Sequence, residues 1–141
     1  MHEILARSRF DTDIRNFGPA IAARLRILVN NAVYPRWDLT VEHTRPLRLV
    51  LTAPEWDEKP PSIGLCKADG SPMKDGLPGG IFNSGAHPAT GLPFVCMPGS
   101  REFHTHPSHL NETWESFRGT PGKTLTGIAM QLADAWRTGV R

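Results

Sequence analysis

Leu39-Thr40-Val41-Glu42-His43-Thr44-Arg45-Pro46-Leu47-Arg48-Leu49-Val50-Leu51 is the stretch that decides the fold. Leu39, Val41 and His43 occupy every second position, and Leu47, Leu49 and Leu51 repeat the pattern after Arg45-Pro46. A period of two sends alternate side chains to opposite faces, so the stretch predicts two antiparallel strands joined by a turn at Arg45-Pro46. A third strand is expected over Ser62–Cys66, entered through Pro60-Pro61. Upstream, residues 11–33 predict a helix: Ile14, Phe17, Ile21, Leu25, Leu28 and Ala32 draw one apolar stripe at gaps of three and four. Asp11, Thr12 and Asp13 would cap its start, and Asn30-Asn31 would mark its end. Gly18-Pro19 either kinks it or opens its main part, with Pro19 in the first turn.

Downstream, residues 69–91 read as loop, punctuated by Asp-Gly, Ser-Pro, Pro-Gly-Gly and Asn-Ser-Gly. An apolar piece over residues 92–97 holds Cys96, and residues 103–117 read as irregular. The chain ends in a second helix, with Leu125, Ile128, Leu132 and Trp136 on one face, Thr120 as its cap and Pro121 in its first turn. The order is helix, a sheet of three or four strands, long loops carrying Cys and His, then helix. That is an α+β sandwich of a sheet against helices. At 141 residues it forms one domain over Met1–Arg141, with a core spanning about residues 11–137.

Composition narrows the function classes. The chain is 39% apolar and 21% charged, which excludes a disordered tail and a coiled coil. No run of 18 apolar residues exists, so no membrane-spanning helix is expected and no membrane partner is called for. The first ten residues alternate apolar and charged groups and do not read as a secretory signal, so a cytoplasmic location is expected. A net charge of +2 is too small to argue for a nucleic-acid partner. Cys66 and Cys96 are too few for a disulfide framework and are expected as reduced thiols. Cys66, inside Ile63-Gly64-Leu65-Cys66, reads as an inert core residue, and Glu42 and His43 read as surface.

Chemistry concentrates in one segment. His87, Cys96, His104, His106 and His109 fall within 23 positions, and only His2 and His43 lie outside. Cys96 ends an apolar run and enters Met97-Pro98-Gly99, which places it at the lip of the sheet, where a nucleophile has to sit. A thiolate attacks carbonyls well, and a nearby histidine lowers the pKa of such a thiol. The same residues also have the composition of a zinc site, with His104, His106 and His109 as imidazole ligands and Cys96 as a fourth. A metal hydrolase using part of that set is the third chemistry.

Ala86-His87-Pro88-Ala89 followed by Cys96 resembles the His-Pro-Asn motif and downstream catalytic cysteine of ubiquitin-conjugating enzymes. The element order agrees over residues 11–136: helix, meander, Pro60-Pro61, His-Pro turn, cysteine, the tryptophan Trp114, and a last helix containing Thr124-Leu125-Thr126-Gly127-Ile128-Ala129-Met130-Gln131-Leu132. The chain departs from the family in three ways. Ala89 replaces the motif asparagine, Cys96 lies one residue nearer the His-Pro, and Phe103-His104-Thr105-His106-Pro107 follows the cysteine. These departures resemble divergent bacterial members, some of which are encoded with CBASS antiphage systems.

The resemblance implies the fold of that family, with about four meander strands, and Cys96 as the thioester nucleophile. His104 and His106 would deprotonate or position the incoming amine, or donate to the oxyanion. His87 would hold the loop through a backbone hydrogen bond. His109 would support the site, and Asn83 and Asn111 are candidates for the missing amide donor. Trp114 reads as packing. The implied cargo is a cGAS-like nucleotidyltransferase or a bacterial ubiquitin-like protein, bound through its C-terminus. An activating enzyme is a further implied partner, and Arg7, Arg9, Arg15, Arg24 and Arg26 suggest an acidic partner on the first helix. No cofactor is implied.

Two rival readings stand beside this one. Phe103-His104-Thr105-His106-Pro107 also resembles the JAMM zinc proteases that remove ubiquitin-like modifiers. Trp114 and Phe117 stand where that family needs a serine and an aspartate, and Glu112 and Glu115 lie at the wrong offsets. The other rival is a binding module of the conjugating fold without catalysis.

Overall fold

The computed structural model describes residues 2–141. Helices α1 (Glu3–Asn16) and α2 (Pro19–Leu25) precede the strands β1 (Ile27–Val33), β2 (Arg36–Val41), β3 (Leu47–Thr52) and β4 (Ser62–Cys66). The strands form one antiparallel meander in the order β1-β2-β3-β4. A small second sheet pairs β5 (Phe82–Asn83) with β6 (Phe94–Val95). The short helix α3 (Arg101–Thr105), two single-turn 3-10 helices (Pro107–His109 and Trp114–Ser116) and α4 (Leu125–Gly139) complete the chain. The α+β class and the central meander agree with the sequence reading.

The meander follows from its apolar alternation. In β2, Trp37, Leu39 and Val41 point inward, and in β3 Leu47, Leu49 and Leu51 do the same; all six are fully buried. Leu39 stands opposite Leu49, and Leu49 opposite Leu65 of β4, so the apolar residues of three strands line up across one face. Phe10 of α1 and Phe17, the residue that ends it, join them in one core cluster with Leu125, Ile128, Leu132 and Trp136 of α4. The other face carries Asp38, whose carboxylate takes two hydrogen bonds from Arg48, at 2.9 and 2.8 Å.

The first helix departs from expectation at both ends. It starts at Glu3, where the His2 side chain accepts the Ile4 N–H, rather than at the Asp11-Thr12-Asp13 cap. Ala6 and Phe10 extend the apolar stripe one helical turn and more toward the N-terminus. Gly18-Pro19 does break the helix, and Pro19 is the first residue of α2. Residues 27–33 are a strand, not the end of a helix. Arg26 adopts a left-handed conformation (φ 52°), ends α2 and turns the chain into β1. The apparent stripe through Leu28 and Ala32 is a coincidence of spacing, since both are exposed and only Ile27 of β1 is buried. Asn30-Asn31 lies at an irregularity in the β1–β2 pairing.

The last helix begins later than expected. Thr124 is its cap, accepting the Gly127 N–H, and Thr120 and Pro121 lie in the preceding loop. His43 lies beyond β2, half-buried, with its ring against the Val140 carbonyl, while Glu42 is exposed as expected. Cys66 is buried, and burial pushes its thiol pKa up. Among the described residues no helix is long and apolar enough to cross a membrane.

Candidate functional site

Cys96 is the residue after β6, and its backbone N–H donates to the Ile81 carbonyl at 2.7 Å. Phe82 and Val95 are partners across the β5–β6 pair and are buried in the core, so the position of Cys96 is tied to the interior. The side chain is half-exposed at the edge of that pair. The chain then turns through Met97-Pro98-Gly99 into α3. Ser100 caps α3 by accepting the Phe103 N–H at 3.0 Å and donates to the Val95 carbonyl at 2.6 Å. This fully buried serine joins the strand before the thiol to the helix after it.

His109 is the histidine that reaches the thiol. Its Nε2 lies 3.5 Å from Cys96 Sγ, and its Nδ1 lies 2.6 Å from Glu112 Oε2. Nδ1–H donates to the carboxylate, which leaves the Nε2 lone pair facing the thiol. The 3-10 turn Pro107–His109 carries the imidazole, and the ring stacks on Phe103 with centroids 4.0 Å apart. The Glu112 N–H donates to the His109 carbonyl, and this turn brings the carboxylate back to the ring three residues earlier. Thiol, imidazole and carboxylate are thus linked in sequence, an arrangement that is able to activate a thiol toward a carbonyl.

The residues expected to share this role are otherwise engaged. His104 makes no hydrogen bond to the thiol. Its Nδ1–H donates to the Glu112 carbonyl at 2.6 Å, and its Nε2 accepts the Gly99 N–H at 3.1 Å. Burial lowers its pKa, against the opposing pull of the Glu112 carbonyl, and the neutral ring suits an acceptor role at Nε2. His104 therefore holds the segment bearing Glu112 against the turn that follows Cys96. His106 caps the 3-10 turn: its Nδ1 accepts the Ser108 N–H and meets the Ser108 hydroxyl at 2.7 Å. Its ring stacks over Phe94.

His87 is 2% exposed and lies beneath the loop. Its Nε2–H donates to the Glu102 carbonyl at 2.9 Å, and its Nδ1 accepts the Ala89 N–H at 3.0 Å. Asn83 is spent on its own turn, accepting the Gly85 N–H, and Asn111 is exposed; neither hydrogen-bonds to Cys96. Trp114 is buried beside Trp56, and its indole N–H donates to the Asp57 carbonyl.

His104, His106, His109 and Cys96 do not converge as ligands. Among the described residues, no group of three or more His, Cys, Asp or Glu side chains stands where it could hold one metal ion. Two carboxylates of this region lie outside the sequence-based site. Glu112 lies at the wrong offset for a zinc motif, but its spacing of three from His109 is the signal for a turn-borne pair. Glu102, a buried carboxylate, accepts the Ile63 N–H and the Ser62 hydroxyl, each at 2.8 Å, and pins α3 to β4. Burial raises its pKa.

A model of the Y4jH-like family (Y4jH family) matches residues 83–141. The chain is similar to that family over the segment that begins in β5 and runs through α4, which contains Cys96, His109 and Glu112. No curated protein matches the chain.

Proposed function

We propose that this protein is a carrier enzyme of the ubiquitin-conjugating type, with Cys96 as the acyl-accepting nucleophile. The observation that carries the reading is Cys96 held 3.5 Å from the Nε2 of a carboxylate-oriented His109, downstream of a His-Pro turn whose His87 is buried. In this reading the Cys96 thiol gives its proton to His109 Nε2 as sulfur attacks the carbonyl carbon of an activated protein C-terminus. The bond to the activating group breaks, that group departs with the proton returned by His109, and a thioester to Cys96 forms. An amine then attacks the thioester and gives up a proton to His109. The C–S bond breaks, an amide forms, and the Cys96 thiolate leaves and is reprotonated.

Ala89 brings no side-chain donor to this site, so the polar group beside the sulfur is His109 and not a motif amide. That supports assigning the family's missing function to the residues after the cysteine. A cGAS-like nucleotidyltransferase or a bacterial ubiquitin-like protein as cargo, an activating enzyme as partner and a role in antiphage defence complete the proposal, on the strength of the motif resemblance.

Intact-mass analysis tests it. Wild type and Cys96→Ser are each co-expressed with the neighbouring genes and purified without reductant. A thiol-labile protein adduct is expected on the wild type, replaced in the variant by a thiol-stable oxyester because a hydroxyl leaves less readily than a thiol. Identical adducts on both proteins, or none on either, would overturn the proposal.

A further inference from the structure

The carrier reading needs partners, but the Cys96–His109–Glu112 arrangement is complete within one chain. We infer that the isolated protein is a thiol esterase that hydrolyses small activated acyl esters and thioesters; this rests on the same nucleophile as the proposed function and adds a second activity. A base placed to take a proton from an incoming amine can take one from water as well. Here His109 Nε2 lies 3.5 Å from the sulfur, and Glu112 holds the ring through Nδ1 at 2.6 Å. The His109 side chain is 25% exposed and that of Glu112 is 52% exposed, so water reaches the base from solvent. Stacking on Phe103 and the i,i+3 turn fix the ring without help from a partner chain.

The reaction balances within these groups and one water. In acylation, His109 Nε2 takes the Cys96 proton, sulfur bonds to the carbonyl carbon, and the bond to the leaving oxygen or sulfur breaks. The leaving group departs as an alcohol or thiol with the proton returned by His109, or as a stable phenolate while the proton passes to solvent. In deacylation, His109 Nε2 takes a proton from water, and the hydroxyl oxygen bonds to the acyl carbon. The C–S bond then breaks, and the Cys96 thiolate recovers that proton as the carboxylic acid leaves. His109 ends neutral and no oxidant or further reactant is consumed. Glu112 touches no reacting atom and is a positioning residue.

The test uses the purified full chain with p-nitrophenyl acetate, reading p-nitrophenolate release and, by intact mass and peptide mapping, acetyl groups on Cys96. Wild type is expected to release about one equivalent in a burst and then turn over steadily. Cys96→Ala loses both phases. His109→Gln still acquires an acetyl group on Cys96, but its turnover falls about 100-fold, the range of a lost general base. Glu112→Gln leaves a larger share of the protein acetylated at steady state, a change in the balance of the two steps that a merely unstable variant would not give. Circular dichroism confirms that each variant is folded. A burst without turnover in the wild type, or undiminished turnover in His109→Gln, would overturn the esterase inference and leave Cys96 as a carrier nucleophile. No acetyl group on Cys96 at all would overturn the nucleophile itself, and the proposed function with it.

Discussion

His104 shows how one residue can be chemically conspicuous and still serve the architecture. Both ring nitrogens are used, one as donor to the Glu112 carbonyl and one as acceptor from Gly99. Only the neutral ring can do both. With its folded pKa lowered by burial, the contribution of His104 to stability is complete above the ordinary value of 6.5 and is lost as pH falls through the lower folded value. His104→Ala is expected to cost about 1–3 kcal/mol at pH 7, because the Gly99 N–H loses its acceptor. In His104→Gln, the urea midpoint should fall less between pH 7 and pH 5 than in the wild type. An equal fall in both would show that His104 does not carry the acid sensitivity. At this scale the sequence was legible as a cluster but not as a division of labour. Four histidines within 23 positions are plain to see, but which nitrogen meets which partner depends on turns of three to eight residues.

The elements are joined by single side chains that bridge long gaps in sequence. Asp13 on α1 accepts the Trp56 indole N–H at 2.8 Å and the Leu125 N–H at 3.1 Å, both on one carboxylate oxygen. It thereby satisfies a donor at the start of α4 from across the molecule. Burial raises its pKa despite these two hydrogen bonds. The sign is that of an acid strained by ionisation: the folded state is favoured below the unfolded value of 3.8, and that advantage is lost as pH rises through the folded value. Asp13→Asn keeps an oxygen acceptor and removes the charge, so its thermal midpoint at pH 7 should equal or exceed that of the wild type. Asp13→Ala leaves two donors unpaired and should cost about 2 kcal/mol in urea unfolding. If the two variants unfolded alike, the carboxylate would not be acting as an acceptor. In the sequence Asp13 has the look of a helix cap, standing beside Asp11 and Thr12. Its real partners lie 43 and 112 positions away, beyond any local pattern. The short α3 was missed for a related reason: five residues are too few to show a period, and Ser100 was its only sequence signal.

Across the whole molecule, the core and the site share a wall. Trp136 of α4 is fully buried, meets Phe82 edge to face at 5.5 Å and donates its indole N–H to the Arg45 carbonyl at 2.7 Å. Phe82 pairs with Val95, the neighbour of Cys96. Arg137 spans the carbonyls of Leu25, Arg26 and Glu42 and ties α4 to the junction of α2 and β1. Trp136→Ala should therefore cost about 3–5 kcal/mol, the usual range for emptying a large aromatic site. It should also lower the Cys96-dependent chemistry in the fraction still folded, because the β5–β6 pair loses its support. A loss below about 1 kcal/mol in urea unfolding would show that the site closes over the gap.

The sequence by itself determined the α+β class, the meander over β2–β4, the break at Gly18-Pro19, the apolar face of α4 and the crowding of Cys and His into one segment. Each rests on a short-range period or a steric rule that acts within a few residues. Only the tertiary structure decided that residues 27–33 pair as an edge strand, that Glu102 braces α3 against β4, and that His109, oriented by Glu112, is the histidine at the thiol. Those outcomes depend on which backbone groups and side chains meet once the chain has closed on itself. A residue's own neighbours in sequence do not specify them.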